Sequence, residues 1–359
     1  MYLNQILLSI DWAFFTEKIV LIVVVVMVSL FVAMYSTYAE RKVAAFMQDR
    51  RGPNRAGPFG ILQPMADGLK LFFKEEIIPS FASKFLFVLG PILAMLTAIM
   101  VSAVIPWGDK IHIFGRDVSL QIADVNIGIL YIFGVVSLGV YGIMIGGWAS
   151  NNKFSLLGAM RAASQIISYE LALGIALIGL LMFTGTLSLN EMVNQQKDQW
   201  WNIFKQPLGF LIFLVCAFAE TNRTPFDLPE AENELTGGYH SEYSSMKLGF
   251  YLFAEYVNMF LSGAVMATLY FGGYDIPFVN DANLVHSIGV NWVALIEVAV
   301  FFAKISCFIF LFMWVRWTVP RFRYDQLMNL GWKILLPLSL FNMLLTGALI
   351  LLKQNHWHF

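Results

Sequence analysis

Charge is scarce in this chain of 359 residues, and cysteine almost absent. Only 13% of the residues are charged, and the two cysteines are Cys216 and Cys307. Both sit in apolar runs with no His or Cys at metal-ligand spacing, so they read as packing residues. Iron–sulfur clusters need several thiolates, and a dinucleotide site needs a glycine-rich turn between a strand and a helix; neither pattern occurs. No metal and no redox cofactor is therefore expected on the chain itself, and electrons, if it handles any, come from elsewhere. The first residues, Met1 to Lys18, contain Asp11 and Glu17 and lack the basic flank and small-residue cleavage site of a secretory signal, so the N-terminus is expected to be retained. No convincing internal repeat is found. A formal net charge of −1 says little by itself, and no nucleic-acid partner is expected.

What the chain has is apolar sequence. It is 58% hydrophobic, with 32 Phe, 10 Trp and a mean hydropathy of +0.67, whereas soluble domains carry about 25% charged residues. A bilayer core of about 30 Å takes about 20 helical residues to cross. Apolar windows of about that length fall at 19–38, 84–105, 127–148, 165–183, 207–222, 246–272, 292–316 and 333–352. The expected fold is all-α: a polytopic integral membrane protein with about eight transmembrane helices, forming a single membrane domain over 1–359. The fifth window is short and ends where Asn222 and Pro225 stop a helix; Pro91 and Pro337 lie inside windows and can kink them.

Basic residues give the orientation. Loops after spans one, three, five and seven, with the bordering span ends, hold 16 of the 23 Lys and Arg residues, whereas loops after spans two, four and six hold only Lys110, Arg116, Lys197 and Lys205. Positive residues stay on the cytoplasmic or equivalent side, so the first set is expected there, with both termini opposite.

Every polar motif of note falls in that basic set. The first loop, 39–83, opens with AERKVAAFMQDRRGPNRAGPFGILQPMADGLKLFFKEE from Ala39 to Glu76. Its Gly52, Pro53, Gly57 and Pro58 specify stiff turns, and Pro64 can open a helix. Beyond it Gln63, Asp67, Lys70 and Lys74 share one helical face, with Ile61, Met65, Leu69 and Phe72 on the other: an amphipathic interfacial helix. Either it is a membrane-surface strut with snorkelling charges, or it walls an access path for an amphiphilic, lipid-soluble molecule. In Ser150 to Glu170, Arg161, Gln165, Ser168 and Tyr169 lie on one face as the chain enters the membrane, with Glu170 on another. The acidic loop, 223–245, lies within AETNRTPFDLPEAENELTGGYHSEY, Ala219 to Tyr243. There Asp227 and Glu230 match a helix capping box. Capping leaves Glu220, Glu232 and Glu234 unexplained, and clustered carboxylates near low dielectric raise one another's pKa, as a proton relay at neutral pH requires. Arg223 can hold one of them ionised, and Glu255 continues the series into the sixth span. RWTVPRFRYDQLM, Arg316 to Met328, gathers Arg316, Arg321, Arg323 and Asp325 just past a span end, where basic anchors are common. Glu297 and Lys304, i and i+7 on one face of the seventh span, fit either a simple ion pair or a proton path.

The first-loop motif, AETNRTPFDLPEAENEL and RWTVPRFRYDQLM resemble the signature stretches of the H-subunit family of NADH-quinone oxidoreductase, respiratory complex I (the mitochondrial subunit 1 family), in the same order from Glu40 to Met328. The resemblance implies a membrane-arm subunit of a proton-pumping enzyme, set where the peripheral arm docks, that forms part of the quinone channel and is not catalytic alone. Quinone would be the substrate, and FMN and Fe–S clusters would reside in partner subunits. By residue match Glu40, Arg41, Arg50, Arg51, Asp67 and Lys70 would line or brace the quinone channel. Arg161, Glu170, Glu220, Arg223, Asp227, Glu230, Glu232, Glu234 and Glu255 would link quinone chemistry to proton movement, and Arg316, Arg321, Arg323 and Asp325 would serve cytoplasmic docking. Peripheral-arm quinone-site subunits, membrane-arm subunits and membrane lipid are the implied partners. The extended outer loops favour a bacterial inner membrane over an organellar one. Two rivals remain at this point: the anchor subunit of a membrane-bound hydrogenase, which uses no quinone, and a stand-alone secondary transporter. The absence of a repeat and of broken-helix pairs argues against the second.

Overall fold

The computed structural model describes residues 12–113, 115–197, 200–230, 232–277 and 289–355. Apolar runs uninterrupted by charge become long helices, because backbone groups inside hydrocarbon must be satisfied within the segment. Among the described residues, seven helices are long and apolar enough to cross a membrane. In chain order they are α1 (Trp12–Met47), α3 (Lys84–Met100, extended by a 3-10 turn to Val104), α4 (Gly128–Ala149), α5 (Lys153–Thr184), α10 (Ser245–Tyr270), α11 (Val290–Thr318) and the stretch from α12 (Tyr324–Asn329) through a π-helical turn (Leu330–Leu335) to α13 (Leu336–Asn355). The short apolar helix α8 (Pro207–Glu220) occupies the fifth window, so the chain is the expected polytopic all-α protein. Helix α8 starts at Pro207, whose fixed φ suits a first turn, and ends just before Asn222 in the left-handed conformation (φ 51°). Two helices outrun their windows: α1 continues to Met47, carrying Glu40 and Arg41 on its last turns, and α5 takes in the whole polar stretch from Lys153.

The bundle is organised around α10. Within the apolar window 72% of its residues are buried, against 22% for α1 and for the last span, so α10 is the central post and those two lie at the edges of the bundle. Around it pack α1, α3 and α11, while α5 joins α4, α8 and α13. Small residues permit the close approach: Gly90 of α3 meets Gly142 and Gly146 of α4, and Tyr251 of α10 donates a 3.1 Å hydrogen bond to the Gly142 carbonyl.

Long-range contacts sort the connections into two ends. At one end Arg316 and Arg223 meet Glu40. At the other, Lys18 donates to the Gln121 carbonyl and Lys197 pairs with Glu297. The polar connections at 106–126 and 184–206 hold regular structure: an antiparallel hairpin of β1 (Lys110–Ile113) and β2 (Arg116–Ser119), and the helices α6 (Leu189–Lys197) and α7 (Asn202–Lys205). The interfacial helix forms as α2 (Gln63–Phe73). Leu69, Phe72 and Phe73 are exposed, and Asp67 turns inward to Arg41 at 2.6 Å. That is the disposition of a helix lying on a membrane surface.

Candidate functional site

At the basic end, five elements converge on a buried network of charge. Glu40 comes from the late turns of α1, Arg223 from the turn after α8, Glu255 and Tyr256 from the third turn of α10, and Arg316 from the last turn of α11. Residues 238–240 form a 3-10 turn that supplies Tyr239 and His240. Arg223 is 4% exposed and Glu40 6%, so this is an interior ion cluster rather than a surface one. Arg223 Nη1 lies 3.4 Å from Glu40 Oε2 and Nη2 lies 3.9 Å from Glu255 Oε2, and the guanidinium stacks 4.1 Å from the Tyr256 ring centre. Tyr256 donates its hydroxyl to Glu40 at 2.8 Å, and Tyr239 donates to Glu255 at 3.1 Å. Arg316 completes the set with a 2.7 Å ion pair to Glu40, its N–H angled away from a hydrogen bond.

Breaking such a cluster by removing one member costs about 3–5 kcal/mol, because a buried charge is left uncompensated. Held together, it costs the fold much less. Even so it is not fully satisfied: among the described residues Arg223 Nε and Nη2 find no hydrogen-bond acceptor. Burial opposes a charge on Arg223, but Tyr256, Glu40 and Glu255 hold the guanidinium firmly protonated. A fixed positive charge with donors to spare, set between two carboxylates, can bind or release negative charge as those carboxylates change state.

Beside this cluster, Asp227 and Glu230 divide their roles. Burial pushes Asp227 up to about 7, helped by the charge of Glu230. The 2.6 Å contact with Arg321 pulls the other way, and Arg223 with it. Burial wins because Asp227 Oδ1 has no donor. In Glu230 burial also opposes ionisation, but the His240 hydrogen bond and charge outweigh it and hold Glu230 below the usual glutamate range. His240 Nε2 lies 3.3 Å from Glu230 Oε1. The Tyr239 hydroxyl stays protonated far above its ordinary range, first through burial and then through Glu255 and Glu230. Two carboxyls with opposite shifts, one titrating near neutrality, are the elements of a proton relay. The capping-box reading of Asp227 and Glu230 fails: residues 228–230 form a turn, the next helix, α9, spans Glu232–Leu235, and the Asp227 carboxylate is held by Arg321 instead.

Deeper in the bundle lies a second acidic pair. Glu170 of α5 accepts a short hydrogen bond from Ser137 of α4, and Glu220 ends α8; both line one cavity with Tyr169, Asn258 and Ser262. A neighbouring cavity is lined by Glu220, Asn258, Glu255 and Tyr239. The α5 face is committed as the sequence groups it: Gln165 donates to the Ala219 carbonyl at 2.8 Å and to Asn222 at 3.3 Å, and Tyr169 donates to the Leu327 carbonyl at 2.9 Å.

The remaining sequence-selected residues stay outside this interior. Arg161 and Glu234 pair at 2.8 Å on the surface, Arg323 pairs with Asp325 at 3.2 Å in the open, and Arg41, Asp67 and Lys70 cluster between α1 and α2. Arg50 bonds Gln48, Arg51 is exposed, and the Glu232 side chain lies outside the described residues. Glu297 and Lys304 do not pair with each other. Glu297 takes Lys197 at 3.1 Å and the Asp109 backbone N–H at 3.0 Å, while Lys304 donates to the carbonyls of Phe271, Gly273 and Asp275 just past the end of α10. Both stand at the end of the bundle opposite the Arg223 cluster. Tyr239, His240, Tyr256, Asn258 and Ser137 escaped the sequence reading. Tyr256 and Asn258 carried a signal, since one adjoins Glu255 and the other lies one turn further along the same face.

Fold and interior together define a polytopic α-helical membrane protein with a buried acid–base network at one end of its bundle. The family described as NADH dehydrogenase matches residues 19–347, and the chain belongs to it. It is 65% identical to an NADH-quinone oxidoreductase H subunit of Cytophaga hutchinsonii, over 94% of this chain and 98% of that protein. It is also 65% identical to the NADH-quinone oxidoreductase H subunit of Flavobacterium johnsoniae, over 94% and 96%, and 47% identical to an H subunit of the same oxidoreductase from Geobacter sulfurreducens, over 97% and 99%.

Proposed function

We propose that this chain is a membrane-arm subunit of a proton-pumping NADH:quinone oxidoreductase, which helps to form the quinone channel and couples quinone reduction to proton translocation. The observation that carries the coupling role is the interior cluster of Glu40, Arg223 and Glu255, joined through shared cavities to Glu220 and Glu170. Relatives that match over nearly their whole length bear names of that oxidoreductase, which favours it over a hydrogenase anchor or a transporter.

In this reading the chain bears no cofactor and is not catalytic alone. FMN and Fe–S clusters sit in partner subunits of the peripheral arm, other membrane-arm subunits receive the coupling signal, and the whole assembly resides in a bacterial inner membrane. Glu40, Arg41, Arg50, Arg51, Asp67 and Lys70 line or brace the quinone channel near the basic end. Arg223, Asp227, Glu230 and Glu255, with Glu220 and Glu170 beyond them, carry the charge rearrangement that follows quinone reduction. Arg161, Glu232 and Glu234 belong to its loop-facing margin. Arg323 and Asp325 are left for docking the peripheral arm, whereas Arg316 and Arg321 reach inward to neutralise Glu40 and Asp227. Glu220→Gln in the native complex tests the reading: inhibitor-sensitive NADH:quinone activity and proton uptake into inverted vesicles are expected to fall together. A fully coupled variant would overturn it.

A further inference from the structure

Asn258 occupies an unusual place. It lies about 20 Å along α10 from Ser245, at 1.5 Å per residue, and one helical turn beyond Glu255. It lines both interior cavities, one of about 40 Å³ shared with Glu170, Glu220 and Ser262, the other of about 50 Å³ shared with Glu220, Glu255 and Tyr239. Of its polar neighbours, Glu170 is bonded by Ser137 and Glu255 by Tyr239. The side chains of Asn258, Glu220 and Ser262 make no hydrogen bond to any described residue, and none of their polar atoms is fully buried.

A carboxamide offers two donors and two acceptor sites, and at membrane depth an amide without a protein partner favours water as its partner. A cavity larger than about 10–15 Å³ can hold water where polar groups face it, and each of these meets both conditions at its Glu220 and Asn258 wall. The other shared walls, Val136 and Ile166, offer water nothing. The polar junction between the chambers is therefore Asn258 with Glu220.

We infer that Asn258 is a positioning residue that holds bridging water at the junction of the two cavities, joining Glu255 to Glu220 and Glu170 in one hydrogen-bonded path. The amide does not itself exchange a proton with the path. It donates to and accepts from the waters, fixing their orientation, so that a proton passes from a carboxyl to water and from water to the next carboxylate. This inference rests on the proton-coupling role proposed above.

The pair Asn258→Val and Asn258→Thr tests it in the assembled complex, because the two replacements share a β-branched shape and differ by a hydroxyl that can still order water. Asn258→Val is expected to slow NADH:quinone turnover about tenfold to a hundredfold and to enlarge the solvent deuterium isotope effect, with Asn258→Thr recovering most of both. Equal impairment in the two variants, or a wild-type rate and isotope effect in Asn258→Val, overturns the inference. Glu220→Gln measured alongside separates the levels. If it abolishes coupled activity while Asn258→Val does not, the coupling role stands and only the bridging role of Asn258 falls; if Glu220→Gln is fully coupled, both fall.

Discussion

Asp227 and Arg223 show how the interior trades stability for chemistry. Asp227 carries a carboxyl raised to about 7 from an ordinary value near 4, so the folded protein binds its proton more tightly than the unfolded chain does. Its contribution is complete below pH 4 and is lost as pH climbs through 7, the reverse of a salt-bridged carboxylate. Thermal stability of the complex is therefore expected to decline from pH 6 to 8, and Asp227→Asn, which stays neutral, is expected to flatten that slope; an unchanged slope counts against the assignment. Arg223→Met removes the only cation within ion-pairing reach of Glu255 among the described residues. A loss of about 3–5 kcal/mol, or failure of the subunit to assemble, is expected on a native gel, and Arg223→Lys, which keeps the charge, is expected to lose less.

Among the elements, the turn between α8 and α10 sets the geometry of the site. Gly238 has φ +61°, and a Cβ there would overlap the Pro229 carbonyl oxygen. Gly238→Ala is thus expected to displace the 3-10 turn that carries Tyr239 and His240, at about 1–3 kcal/mol from the backbone alone, and to lower both assembled complex and turnover. Little of this turn was legible in sequence. The spans were, because hydrocarbon demands about 20 apolar residues whatever the neighbours. The amphipathic period of α2 was equally plain. Asp227 and Glu230 misled because a capping box is a local signal, whereas Arg321, which takes the Asp227 carboxylate, is 94 residues away. Glu297 and Lys304 misled in the same way: their spacing on one face was right, but their partners came from α6 and the end of α10.

Over the whole molecule, ionisable residues are divided by end. The basic end holds the Arg223 cluster and the carboxyls that can titrate. The opposite end holds Lys197 with Glu297 and Lys304 on three carbonyls, contacts that tie α6, α10 and α11 together. Sequence set Lys197 on the side opposite Arg223 and Arg316, as the structure has it, but read Glu297 and Lys304 only as intramembrane charges. It could not say which of them meet, since Glu40, Arg223 and Arg316 are far apart in the chain and are joined only by helix packing.

As proposed, the buried path from Glu40 through Glu255 to Glu170 couples quinone reduction to proton movement. Its most direct test is the simultaneous measurement of NADH:quinone turnover and proton translocation in inverted vesicles that carry the assembled complex with Glu255→Gln. Both are expected to fall about tenfold or more while NADH oxidation by an artificial acceptor at the peripheral arm persists. Wild-type turnover with a wild-type proton yield would contradict it.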